Sequence, residues 1–193
     1  MGGGDKCLIK LSGRTLLDHV IARARPQVRA LLLNANGDSA RFRNYRLPVA
    51  ADAIGGFAGP LAGILTAMEW AQQVQRPQYR YIASFATDTP FFPHDIVTRL
   101  QTALAEEDAE IACAASMGRT HPVFALWPVR LAPLLRTAME SEDVRKVFAW
   151  MACFRTAIVA FDSTEGDPFL NINTPVDLAV AQARLAPVRP AVS

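Results

Sequence analysis

Strand-length apolar runs alternate with segments of helical period along nearly the whole of this 193-residue chain. The runs are Cys7-Leu8-Ile9-Lys10-Leu11, Ala30-Leu31-Leu32-Leu33-Asn34, Leu47-Pro48-Val49-Ala50-Ala51, Tyr79 to Thr87, Ile111 to Ala115, Val123 to Trp127 and Ala157 to Phe161. Their length suits strands rather than helices. Between them, Leu16, Leu17, Val20, Ile21 and Ala24 fall on one helix face before Pro26. Gly59-Pro60 opens a helix to about Gln73, with proline at its favoured first position. Ile96, Val97, Leu100 and Leu104 mark another helix face, and helices are expected over 130–141 and 144–152. Thr174-Pro175-Val176-Asp177 starts the last helix, with threonine as N-cap and a carboxylate three residues on. This alternation predicts one α/β domain with a mainly parallel central sheet, over residues 1–185. Residues 186–193 hold two prolines and are expected to form a loose tail.

The charge balance excludes several functions. The net charge is +2, and no basic run is interleaved with aromatic residues, so a nucleic-acid interface is not indicated. Of the basic residues 17 are arginine and three are lysine, which makes Lys6 one of few ammonium groups available. Cys7, Cys113 and Cys153 lie far apart, without metal-type or redox-type spacing, and are expected to be reduced thiols. No apolar stretch approaches membrane-spanning length, and a cytoplasmic location is expected.

In open α/β sheets ligands sit beyond the carboxyl ends of the strands, which selects polar residues that directly follow apolar runs. Asp88 is the sharpest, following Tyr81-Ile82-Ala83-Ser84-Phe85-Ala86-Thr87 and preceding Thr89-Pro90. A carboxylate there suits a hard cation such as Mg²⁺, and equally suits a cap on the Thr89-Pro90 turn. Asn34 closes an earlier run, and Asp52 precedes the glycine-rich Gly55-Gly56-Phe57-Ala58-Gly59-Pro60. Either could meet a base or ribose, and either suits ordinary turn chemistry. Gly2-Gly3-Gly4-Asp5-Lys6 has the composition of a polyphosphate cradle: glycines admit phosphate to backbone N–H groups and a lysine adds a mobile charge. A frayed terminus has the same composition. His121 could bind an anion or relay a proton, or serve as a hydrogen-bonded structural histidine. In Asn171-Ile172-Asn173 the period of an extended chain puts both amides on one side.

Taken in order, Gly2-Gly3-Gly4-Asp5-Lys6, Leu33-Asn34-Ala35-Asn36, Gly59-Pro60-Leu61-Ala62-Gly63, Asp88-Thr89-Pro90-Phe91, His121-Pro122-Val123 and Asn171-Ile172-Asn173-Thr174-Pro175 resemble the molybdenum cofactor guanylyltransferases. The resemblance runs from Met1 to about Leu185. It implies a Rossmann-like nucleotidyltransferase fold and transfer of GMP from GTP to the molybdopterin cofactor, with release of pyrophosphate. By motif position Lys6, Asn34, Asp52 and Asp88 would bind the nucleotide. Lys6 and Asp88 would be catalytic, and Asp88 would also hold Mg²⁺. Recipient molybdoenzymes or their chaperones would be the partners. Family members also carry a strand and a Leu-Ala-Gly-Gly loop with an arginine ahead of the segment matching Met1, so the domain is expected to be incomplete at its N-terminus. Two other readings stay open: a related nucleotidyltransferase using CTP or a sugar phosphate, and a non-catalytic protein that holds or hands over molybdopterin.

Overall fold

A computed structural model describes residues 5–56, 59–74, 79–141 and 144–186. The glycines at positions 2–4, Phe57, Ala58 and the tail from 187 onward lie outside the described residues.

The expected extended segment Cys7–Leu11 is instead a 3-10 turn, Lys6–Leu8, followed by the two-residue strand β1, Lys10–Leu11. β1 turns through Ser12 and Gly13, both at positive φ, and pairs antiparallel with β2, Arg14–Thr15. The physical reason is that its apolar residues serve two different cores. Cys7 packs with Leu17, Leu33 and Phe42, whereas Leu11 packs with Leu16, Phe91 and Ile172. A straight strand would not bury both.

Helix α1, Leu16–Ala24, follows at once. Its start is fixed by a reciprocal cap: the Asp18 amide donates to Thr15 Oγ1, and the Asp18 carboxylate accepts from the Thr15 amide and hydroxyl. β3, Leu33–Asn34, and β4, Val49–Ala50, form a small parallel pair. Helix α2, Pro60–Gln73, packs its buried Leu61, Ile64, Leu65 and Met68 into one half of the core.

The main sheet has the order β5-β7-β6-β8, formed by Tyr81–Ser84, Arg119–Pro128, Ile111–Ser116 and Thr156–Ala160. β8 runs parallel to β6, and β7 opposes both β5 and β6. Three of the four strands thus share a direction, and the sheet is mixed because β6 and β7 form a hairpin. Helices α3, Ile96–Glu106, α4, Ala132–Ser141, and α5, Val147–Met151, cover its faces. The last helix, α6, Pro175–Leu185, carries the predicted threonine cap: Asp177 N donates to Thr174 Oγ1, and the Asp177 carboxylate accepts from Thr174.

Between the β3–β4 pair and β5 lies a cleft of 1310 Å³. Leu31 to Leu33, Tyr81 to Phe85, and the facing sides of α1, α2 and α3 line it. Such walls suit an extended apolar segment far better than a triphosphate. Its polar residues include Asn34, Asp88 and Asn171.

The buried thiols are chemically quiet, since burial pushes Cys7 up to about 11 and Cys113 up to about 12. A buried tryptophan–serine contact is more informative. Trp127, fully buried, donates Nε1–H to Ser84 Oγ (2.9 Å), and Ser84 donates in turn to Val123 O (2.6 Å). Replacing Ser84 by alanine strands the indole donor in the core. The expected cost is about 1–3 kcal/mol. For a domain of this size that is a fall in melting temperature of several degrees with the circular dichroism spectrum unchanged. An unaltered melting temperature would show that the indole finds another acceptor.

Candidate functional site

Two polar clusters form where the strand order predicts them. The first stands beyond β5. Asp88 follows the strand by four residues, and its carbonyl oxygen accepts from Ile172 N (2.9 Å). That bond pins the 171–173 segment beside it. Ile172 is fully buried, so the neighbouring Asn171 and Asn173 are directed the other way. Asn173 Oδ1 accepts from Lys6 Nζ at 3.1 Å. Burial raises the Asp88 carboxyl above its ordinary value, while its own backbone, the nearby Lys6 ammonium and hydrogen bonds from Thr89 and Asn171 act against it. Lys6, Asp88, Asn171 and Asn173 are therefore one constellation, although 167 positions separate the Lys6–Asn173 pair.

The second cluster stands beyond β3 and β4. Asn34 Nδ2 donates to Asp52 Oδ1 (3.0 Å) and to Ala50 O (3.2 Å). Asn36 Nδ2 donates to Asp52 Oδ2 (2.7 Å), and its Oδ1 accepts from Asp52 N (2.8 Å). Both carboxylate oxygens of Asp52 thus hold one amide each, leaving each a lone pair for a ligand. Arg41 ties this cluster to the start of the chain: it pairs with the Asp5 carboxylate and donates to Asn36 O (2.6 Å). Ala53 N donates to Thr66 Oγ1 (2.8 Å), which fastens the following loop to α2.

All four expected nucleotide-binding residues fall into these clusters: Lys6 and Asp88 in one, Asn34 and Asp52 in the other. Asn34 and Asp88 face the same cleft. The glycines at 2–4 and the 57–58 part of the second loop lie outside the described residues.

A magnesium ion is the group most at issue. Among the described residues no three His, Cys, Asp or Glu side chains stand close enough to cage an ion. A single half-buried carboxylate, raised by burial, fits a cation that takes its remaining ligands from water and phosphate oxygens, the usual arrangement for Mg²⁺.

Several residues of these clusters were not singled out in the sequence. Arg41 had no signal, because one arginine among 17 looks like any other. Gly63 stands so close to Asn34 that an added Cβ would lie 2.5 Å from Asn34 Oδ1. A third polar group joins His121, a candidate already in the sequence, to Ser116 and Asp167, which carried no signal. Ser116 Oγ donates to Asp167 Oδ1 (2.8 Å) and lies 2.8 Å from His121 Nε2, while the His121 ring stacks on Phe169 with centroids 4.4 Å apart.

A carboxylate beyond β5, with a lysine and two asparagines brought to it from distant turns, beside an Asn–Asp network beyond the parallel β3–β4 pair, has the groups that a nucleotidyltransferase uses. Residues 1–156 match the family described as MobA-like NTP transferase domain. The chain belongs to the molybdenum cofactor guanylyltransferase family. It is 52% identical over 186 residues to the molybdenum cofactor guanylyltransferase of Bradyrhizobium sp. (strain ORS 278), covering 96% of this chain and 87% of that protein. It is 50% identical over 182 residues to the molybdenum cofactor guanylyltransferase of Rhodopseudomonas palustris (strain BisB5), covering 94% of this chain and 86% of that protein. The fold matches the crystal structure of molybdopterin-guanine dinucleotide biosynthesis protein A from Archaeoglobus fulgidus with a TM-score of 0.73 at 20% identity, over 94% of this chain and 90% of that one.

Proposed function

We propose that this protein transfers GMP from GTP to the molybdopterin cofactor and releases pyrophosphate. The observation that carries the reading is the convergence of Lys6, Asp88, Asn171 and Asn173 beyond β5, beside the Asn34–Asn36–Asp52 network, in a chain of this family.

The chemistry follows from charge. The terminal phosphate oxygen of the acceptor attacks the α-phosphorus of GTP, and the bond from that phosphorus to the bridging oxygen breaks. Negative charge gathers on the departing pyrophosphate. Lys6, oriented by Asn173, is the cation of this cluster that would meet that charge. Asp88, held by its bond to Ile172, would be the protein ligand of Mg²⁺, which would supply positive charge against the phosphates. Asn34 lines the far side of the cleft and is bonded to Asp52, whose spare lone pairs base or ribose donors would reach. Such catalysis is positioning plus electrostatic stabilisation, and it requires no protein nucleophile.

No helix among the described residues is long and apolar enough to cross a membrane. The three cysteines are free, which agrees with a reducing, cytoplasmic setting. Enzymes that use the guanine dinucleotide form, or their chaperones, would take the product.

The test is direct. The full chain is incubated with α-labelled GTP, Mg²⁺ and molybdopterin cofactor, with CTP in a parallel reaction. The expected result is label in the dinucleotide product together with pyrophosphate, from GTP and not from CTP. Transfer from CTP alone would make the protein a cytidylyltransferase. Binding of cofactor without pyrophosphate release from either nucleotide would make it a carrier.

A further inference from the structure

A second cavity, of 340 Å³, adjoins the Asp88 cluster through Asn171 and opens away from the cleft. Arg119, His121, Asp167, Phe169 and Asn171 line it. Its volume is within the range of about 300–1,000 Å³ typical of small-molecule sites. Asn171 lines both this cavity and the cleft, and lies close enough to the Asp88 carboxylate to favour its charged form. The topology fixes its position. Arg119 and His121 start β7, opposite the end of β6, with Ser116 paired to Arg119. They therefore stand at the edge of the sheet where β5 and β6 end. Asp88, at the end of β5, lies between this cavity on one side and the Asn34–Asn36–Asp52 network on the other.

The hydrogen bonds settle what the cavity offers. Ser116 is buried and has a single hydroxyl hydrogen, which goes to the acceptor-only carboxylate of Asp167 at 2.8 Å. Ser116 Oγ must then accept at its 2.8 Å contact with His121, so the proton of the neutral ring is on Nε2. Among the described residues no hydrogen bond reaches His121 Nδ1, which in this tautomer carries a lone pair. Burial, the dominant influence, lowers the His121 pKa and favours this neutral ring at neutral pH. Asp167 Oδ2 faces Arg119 at 3.6 Å, and Arg119 is itself mostly exposed. Phe169, stacked under His121, completes a flat wall. The cavity thus combines a flat wall, two acceptors and one guanidinium. That set complements the edge of a 2-amino-4-oxopyrimidine ring, whose adjacent N–H and amino groups donate and whose carbonyl accepts. It does not resemble a phosphate cradle, because a carboxylate faces the same space.

We propose that this cavity is the subsite for the pterin ring of the acceptor, with Asp167 and His121 Nδ1 accepting from its donor edge and Arg119 donating to its carbonyl. The proposal rests on the guanylyltransferase reading above. Guanine carries the same edge. The placement of Asp88 between the two polar regions favours the pterin here, because an in-line transfer needs the attacking and leaving groups on opposite sides of the phosphorus.

The test uses 6-hydroxymethylpterin, a fluorescent probe, and GTP, titrated separately into the full chain. His121→Phe keeps the ring on Phe169 and removes both nitrogens. Arg119→Gln removes an exposed charge without touching the core. Each is expected to weaken pterin binding by about tenfold, the scale of one lost hydrogen bond to a desolvated group, and to leave GTP binding unchanged; the melting temperature stays the same in Arg119→Gln and falls slightly in His121→Phe, which gives up the bond to Ser116. Loss of GTP binding with pterin binding intact would assign the cavity to guanine and overturn the proposal. Unchanged pterin binding in both variants, or no pterin binding by the unsubstituted chain, would also overturn it. If the unsubstituted chain transfers GMP while His121→Phe keeps full pterin affinity, the subsite is wrong and the proposed activity stands.

Discussion

Replacing Asp88 by asparagine is expected to reduce GMP transfer by at least ~10²-fold while leaving the fold intact, the effect of losing one preorganised electrostatic group. Asparagine preserves the shape of the side chain and keeps one acceptor oxygen toward Thr89 and Asn171. It removes the charge that would hold Mg²⁺ and loses nothing the fold depends on. Burial already raises this carboxyl, so its ionised form is held in the folded protein at some cost, partly offset by Lys6. The sign of the stability effect follows. A carboxylate whose folded pKa lies above its unfolded value weakens stability as pH rises through that interval, so above it the neutral amide should melt no lower than wild type. The two readouts separate the roles. A turnover collapse at constant or raised melting temperature assigns Asp88 to the chemistry. A lowered melting temperature with proportionate activity loss would make it only the cap of the Thr89-Pro90 turn. Full activity with unchanged magnesium dependence would remove it from the site.

Much of the fold is legible in the residues themselves. α1 and α2 lie where the apolar spacing and Gly59-Pro60 put them, because a helix signal is local and its caps are written in the chain. The strands are less sharply marked. The apolar run Tyr79 to Thr87 contributes only Tyr81–Ser84, since pairing with β7 decides where ladder bonds stop and the run itself carries no such information. The curl of Cys7–Leu11 was illegible for a related reason: which of two cores each residue joins is a tertiary choice. At the site, the rule that ligands gather beyond strand ends was enough to select Asp88, Asn34 and Asp52. It could not reach Asp167 or Ser116. Ser116 is the last residue of β6 and Asp167 lies in a loop, and only folding sets them 2.8 Å apart. Nor could it show that Asn173 would orient Lys6.

Gly63→Ala is expected to lower GTP affinity about tenfold or more with little change in melting temperature. The reason is a single contact. Gly63 sits inside α2 in ordinary helical conformation, where alanine would normally be preferred by about 1 kcal/mol. Here the new methyl carbon would lie 2.5 Å from Asn34 Oδ1 and 3.3 Å from Asn34 Cγ, so Asn34 must move. Asn34 is not free to swing aside at no cost, because its Nδ2 is held by Asp52 Oδ1 and Ala50 O. Overpacking of this kind costs about 1–3 kcal/mol, of which the helical preference of alanine offsets about 1 kcal/mol. Stability therefore changes little, while the displacement goes into the ligand-facing network: Asp52 loses one of its two amide partners and its carboxylate turns. Asp52→Ala removes the same carboxylate outright. It should weaken GTP binding by a similar factor and leave pyrophosphate binding unaltered, because a base or ribose contact does not involve the phosphate tail. Since both substitutions act on one network, the double variant should bind GTP no worse than Asp52→Ala alone. Calorimetric titration of GTP and pyrophosphate into the three variants decides the matter. Additive losses would mean that Gly63 acts on GTP by a route other than Asn34 and Asp52, and equal losses of GTP and pyrophosphate in Asp52→Ala would show that Asp52 shapes the loop rather than meeting the nucleoside.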